Sequence, residues 1–206
     1  MTIISISAAP GSDIWRKPPQ TNIFNAPTNT PSSPSRAIGP LPSFVSARLS
    51  FSFAWSVQYD QAGLLLSLRK KGSSDTAAPP TKWIKTGVEF YDGTPRLSTV
   101  ACDAWADWSV GPLEPDASGE TEWTTVSVER AGDHHGASLW VYRVLADGTK
   151  VPLREVCWVY GGGTGADAPA EWEVSVEAFA ARPAPDAAAG ELVAKVKDFE
   201  VKWDDE

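Results

Sequence analysis

The stretch "WIKTGVEFYDG", Trp83–Gly93, decides the fold class. Read with a period of two, it places Ile84, Thr86, Val88 and Phe90 on one face and Trp83, Lys85, Gly87 and Glu89 on the other. The first face needs a core. The second sets a cation and an anion four residues apart, with an indole at its head and a glycine between them. The stretch closes on Asp-Gly, which is turn chemistry.

The neighbouring segments repeat that period. "GLLLSLRK", from Gly63, puts Leu64, Leu66 and Leu68 on one face and Gly63, Leu65 and Ser67 on the other. "FVSARLSFSFAWSVQYD" alternates before it, and "RLSTVACDAW" follows the turn. "TEWTTVSVERAG", "ASLWVYRVL", "KVPLREVCWVY", "EWEVSVEAFAAR" and "LVAKVKDFEVKW" continue to the C-terminal end. Asp147-Gly148 between two apolar runs is a hairpin signal. Nine or ten strands separated by Gly, Pro and Asp turns predict an all-β, antiparallel two-sheet sandwich. The 206 residues suit one domain of that kind, spanning 1–206. Residues 17–43, dense in Pro, Ser, Thr and Asn, read as an irregular arm or loop. "SVGPLEPDASGE", from Ser109, also reads as a loop. Ile14, Trp15, Ile23 and Phe24 call for burial, so the arm is expected to pack back on the sandwich.

Composition narrows the function classes. A net charge of −8 argues against nucleic acid as a partner. The opening "MTIISISAAPGSD" lacks the basic flank and apolar run of a secretory signal, and no stretch approaches a membrane span. A cytoplasmic location follows as an expectation, with Cys102 and Cys157 as reduced thiols. His134 and His135 are adjacent in "GDHHG", which suits a hairpin turn better than a metal site. "GGGTG" lacks the Lys-Ser/Thr and the helix of a phosphate loop. No metal and no cofactor is expected.

Three motifs carry a family resemblance: "YDQAGLLL" (Tyr59–Leu66), "WIKTGVEFYDGTPRLSTV" (Trp83–Val100) and "DWS" (Asp107–Ser109). In order and spacing they resemble the family catalogued as domain of unknown function 1349, also titled the regulation-of-enolase, concanavalin A-like group. "SDIWRK", Ser12–Lys17, looks like that family's "TDFWR"-type opening. The resemblance implies a concanavalin A-like jelly roll and no established reaction. The family title suggests enolase as a protein partner, but no residue here points to it by chemistry. The proline-rich insert at 26–42 and the Gly-rich loop at 161–165 depart from the family pattern.

The candidate ligand-binding residues are Gln61, Trp83, Lys85, Glu89, Asp107 and Trp108. Amide, ammonium, carboxylate and indole converging on a concave sheet suit a carbohydrate or small hydroxylated metabolite. Gly63 and Gly87 are expected to leave room for such a ligand. The bland alternative is a solvated face whose Lys85–Glu89 pair contributes about 0–1 kcal/mol. A catalytic alternative is a polysaccharide lyase, because "WIKTGVEF" is similar to the "FKAG" strand of jelly-roll alginate lyases. Gln61 and Lys85 would then face a uronate, with Tyr59 or Tyr91 as base. A glycoside hydrolase built on Glu89 and Asp107 is the other. No nucleophile with a base stands at recognisable spacing, so the reading leans towards binding.

Overall fold

The computed structural model describes residues 2–32, 36–73, 78–114, 123–186, 188 and 190–204. Its strands are β1 Ile4–Ala8, β2 Ile14–Lys17, β3 Thr21–Phe24, β4 Thr28–Asn29 and β5 Ile38–Pro40. The long strands follow: β6 Phe44–Phe53, β7 Gln61–Lys70, β8 Lys82–Tyr91, β9 Thr94–Cys102 and β10 Ala106–Pro112. The last are β11 Thr124–Asp133, β12 Gly136–Val144, β13 Lys150–Val156, β14 Trp172–Ala181 and β15 Leu192–Trp203. One sheet runs β1-β15-β6-β11-β12-β13 and the other β10-β9-β8-β7-β14-β4, with β5 also on β14. All these pairings are antiparallel. The fold is the expected two-sheet jelly roll.

Period-two patterning builds the core between the sheets. Leu64, Leu66 and Leu68 of β7 meet Ile84 and Val88 of β8 and Val174 and Val176 of β14. Leu49 and Phe51 of β6, Val126 and Val128 of β11, and Val196 of β15 face them from the other sheet. Thr86 sits on the same face, where its hydroxyl pairs with that of Thr99 at 3.0 Å. The turn after β8 is made by Asp92 and Gly93, both with positive φ (52° and 73°), as a two-residue hairpin loop requires. His134 and His135 form the turn between β11 and β12.

Three expectations need correction. The segment 17–43 is not irregular throughout: it carries β3, β4 and β5, and the last two pair with β14. Its prolines hid them, because proline is tolerated on edge strands, where one side of the backbone needs no partner. Ser109–Pro112 is not loop but the end of β10, which covers the edge of β9. Residues 33–35 and 115–120 of these two segments lie outside the described residues.

The third correction concerns the outer face of the seven-stranded sheet, expected to be an open ligand-binding surface or, as the bland alternative, a solvated one. Much of it is covered by protein. A second apolar cluster lies there: Ile14 and Ala26 from the arm pack on Leu65, Trp83, Val100, Cys102, Phe179 and Ala181. β7 is therefore buried on both faces, and Leu65 is fully inaccessible. The two glycines do not make room for a ligand either. They are direct neighbours on β7 and β8. A Cβ on Gly63 would stand 2.1 Å from the Thr86 carbonyl oxygen, and one on Gly87 2.0 Å from that of Ala62. Their role is close approach of two backbones.

Candidate ligand-binding cleft

β7 and β8 bring the polar residues together. Gln61 lies directly opposite Glu89, and Leu65 opposite Lys85. Lys85 and Glu89 are four residues apart on one strand, about 13 Å from Cα to Cα, but Lys85 Nζ reaches the row of Gln61 and Glu89, where the two charges attract. Each also finds other partners. Lys85 Nζ donates to Gln61 Oε1 at 2.8 Å and stands 3.6 Å from Asp13 Oδ1. Glu89 Oε2 accepts from the Ser98 hydroxyl at 2.8 Å, and Ser98 Oγ in turn accepts from Trp108 Nε1 at 3.0 Å.

Both ionisable side chains are buried, at 3 % exposure for Lys85 and 5 % for Glu89. The exposed pair anticipated from the sequence is thus an internal one. Burial lowers the pKa of Lys85, against the opposing pull of Asp13 and Glu89. Burial raises that of Glu89, against Lys85 and the Ser98 hydrogen bond.

These groups line one side of a cleft of about 540 Å³. That volume lies within the range of about 300–1,000 Å³ typical of small-molecule sites. Asp13, Gln58, Gln61, Lys85 and Glu89 supply its polar atoms, and Trp15, Tyr59 and Trp108 its aromatic walls. Pro183–Pro185, just after β14, close the remaining side. The Trp15 and Trp108 rings meet edge to face, 6.3 Å apart at 88°. Tyr91 backs Trp108 at 4.9 Å and 87°, and stacks on Tyr59 at 5.8 Å.

A buried ion pair sets the mouth. Asp60 is fully inaccessible, and its Oδ2 accepts from the backbone N–H of Ser56 and Val57 at 2.9 and 3.0 Å. Arg182 donates to both carboxylate oxygens from the end of β14. Tyr59, next to Asp60, is held at φ 69°. A left-handed tyrosine is strained, and strain of this kind persists only where the surroundings enforce it.

Two of the expected site residues fall elsewhere. Asp107 is exposed on the opposite side of β10 and pairs with Arg154 of β13, whose Nη1 also donates to the Asp107 carbonyl at 3.0 Å. Adjacent residues on a strand point apart, so Trp108 in the cleft puts Asp107 out of it. This removes the Glu89–Asp107 hydrolase pair. Trp83 is 1 % exposed and packs beneath the arm in the second apolar cluster. Gln61, Lys85, Glu89 and Trp108 do converge on the cleft.

Asp13 and Trp15 were missed as site residues. Their signal was the "SDIWRK" motif itself, which alternates Asp13 and Trp15 against Ile14 and Arg16. The histidine that lyase chemistry would use is not in the cleft, since His134 and His135 lie on the other sheet's β11–β12 turn. Among the described residues no cluster of His, Cys, Asp and Glu is arranged to hold a metal ion, and no helix is long and apolar enough to cross a membrane. Cys102 is buried and Cys157 exposed, each as a free thiol.

Comparison with known sequences settles the kinship. Residues 2–202 match the family described as "Protein of unknown function (DUF1349)". The chain belongs to this family. An uncharacterized protein of Emericella nidulans is 41 % identical over 189 residues, covering 92 % of this chain and 80 % of that one. A functionally unknown protein from Saccharomyces cerevisiae shares the fold, with a TM-score of 0.62 at 18 % identity, over 98 % of this chain and 88 % of that one. An alginate lyase from Klebsiella pneumoniae is a looser structural match, with a TM-score of 0.46 at 9 % identity over 79 % and 61 % of the two chains.

Proposed function

We propose that this DUF1349 protein binds a neutral carbohydrate or small hydroxylated metabolite in the cleft between the arm and the seven-stranded sheet. The observation that carries this reading is the pairing of walls and floor. Trp15, Trp108 and Tyr59 offer flat apolar faces to the C–H side of a sugar ring. Gln61, Lys85, Glu89 and Asp13 offer donors and acceptors to its hydroxyls.

Charge decides between neutral and acidic sugars. Lys85 is the one cation among the described residues lining the cleft, against the carboxyl groups of Asp13 and Glu89. It is already engaged by Gln61 and Asp13. A uronate carboxylate would meet a site with no spare positive charge, which weighs against lyase chemistry. A cytoplasmic location is part of the same reading, and the free thiols Cys102 and Cys157 are compatible with it.

The test is a screen of neutral mono- and disaccharides and polyols by saturation-transfer NMR, with calorimetry on the hits. Binding that is lost in Trp108→Ala is the expected result. A screen without hits, or hits indifferent to Trp108, would sink the reading.

A glycoside hydrolase using Glu89 as its acid has one observation in favour. Its carboxyl is buried in the cleft, with its pKa raised and its orientation fixed by Ser98. Release of nitrophenol from a panel of aryl glycosides, abolished by Glu89→Gln, would establish this second function.

A further inference from the structure

We infer that the N-terminal arm is a fixed wall that divides the outer face of the seven-stranded sheet, so that the cleft receives single rings or chain ends and not the interior of a polymer. This rests on the carbohydrate reading above and specifies its ligand class. Along β7 the outward-facing residues are Gln61, Gly63, Leu65, Ser67 and Arg69. The cleft lies at the Gln61 end. A second depression, about 350 Å³, lies at the Ser67–Arg69 end, with Glu173 and Glu177 of β14. Between them the sheet is covered by arm residues.

The covering is built as permanent structure. Ile14 is fully inaccessible against Leu65, Trp83 and Val100. These apolar residues would make a poor floor for a hydrated glycan, so the face between the two depressions is made to be capped. Arg16 fastens the hairpin by donating to the carbonyls of Pro80 and Thr81 at 2.9 and 2.7 Å. At the other end the Arg182 N–H donates to Ser12 Oγ at 3.0 Å, and Gly11 N–H to the Arg182 carbonyl at 2.8 Å. Asp13 and Trp15 stand on the cleft side of this wall, and Phe24 borders the far depression. A polysaccharide running along the strands from one depression to the other would have to pass through the packed arm, and across the strands the cleft ends at Pro183–Pro185.

The experiment uses the full chain and ladders of gluco-, manno-, galacto- and xylo-oligosaccharides from monomer to hexamer. Intact and partly digested polymers of each are compared at equal mass. Affinity for a bound series should level off at the monomer or dimer, longer members staying within about twofold. Digested polymer should compete better than intact polymer, in step with its number of ends. Affinity that climbs through the hexamer, or intact polymer competing as well as digested, overturns the wall while leaving the cleft a carbohydrate site. No binding by any ladder overturns the wall and the carbohydrate reading together, and a polyol bound instead would leave the cleft a site for a small hydroxylated metabolite only.

Discussion

Arg182 grips Asp60 through two hydrogen bonds, Nε to Oδ1 at 2.8 Å and Nη2 to Oδ2 at 2.7 Å, with both side chains buried. The two residues are 122 apart in the chain. The pair ties the end of β14 to the loop that enters β7, and therefore holds Tyr59 and Gln61 in the cleft. Removing one partner strands a buried charge, which costs about 3–5 kcal/mol. Asp60→Ala should lower the urea midpoint accordingly, and the Asp60→Ala, Arg182→Ala double variant should lose less than the sum of the singles. Additive losses would show that the two side chains act independently.

The arm should contribute to stability through Ile14. Truncating a fully buried isoleucine costs about 2–5 kcal/mol. Ile14→Ala, and more so deletion of residues 1–25, should lower the melting temperature. Ile23, which is 38 % exposed, supplies the control. Ile23→Ala should melt close to the wild type, and a drop as large as that of Ile14→Ala would contradict the assigned faces of the hairpin.

The fold was legible because alternation survives in the long strands: Leu64, Leu66 and Leu68 can only face a core. The short edge strands were not. β4 has two residues and β5 three, too few to show a period. Gln61, Lys85, Glu89 and Trp108 could be placed by strand parity and motif. Trp83 and Asp107 could not, because their surroundings come from elsewhere in the chain. Trp83 lies under Ile14, some seventy residues away, and Asp107 follows Arg154 of the other sheet. Parity states which residues share a face; it does not state what covers that face.

Burial of Glu89 makes stability depend on pH in a stated direction. Its pKa in the folded chain is raised above the ordinary value of 4.5, so the native state holds this proton more tightly than the unfolded state. The resulting stabilisation is complete below 4.5 and is lost as pH rises through the folded value. Glu89→Gln keeps the shape and removes the titration. The stability of wild type relative to Glu89→Gln should therefore fall as pH rises above 4.5. Chemical denaturation of both proteins across that rise reads it. A difference that stays constant or rises would show that Glu89 is not held in a desolvated site.

The two tryptophans assigned together from the sequence should separate by experiment. Trp83 is packed beneath Ile14 and touches no cleft space, whereas Trp108 forms a cleft wall and holds Ser98 against Glu89. Loss of a large buried aromatic costs about 3–5 kcal/mol, so Trp83→Ala should be strongly destabilised. The milder Trp83→Phe should still fold and should bind a sugar found in the screen as the wild type does. Trp108→Ala is partly exposed and should lose less stability. It forfeits the stacking face and the hydrogen bond that orients the Glu89 partner, so its affinity should drop about tenfold or more. Trp108→Phe restores the aromatic face but not the N–H, and should fall between the two. Calorimetric titration and thermal melts on the four variants give both quantities. If Trp83→Phe abolished binding while Trp108→Ala left it intact, the ligand would lie beneath the arm and not in the cleft beside it.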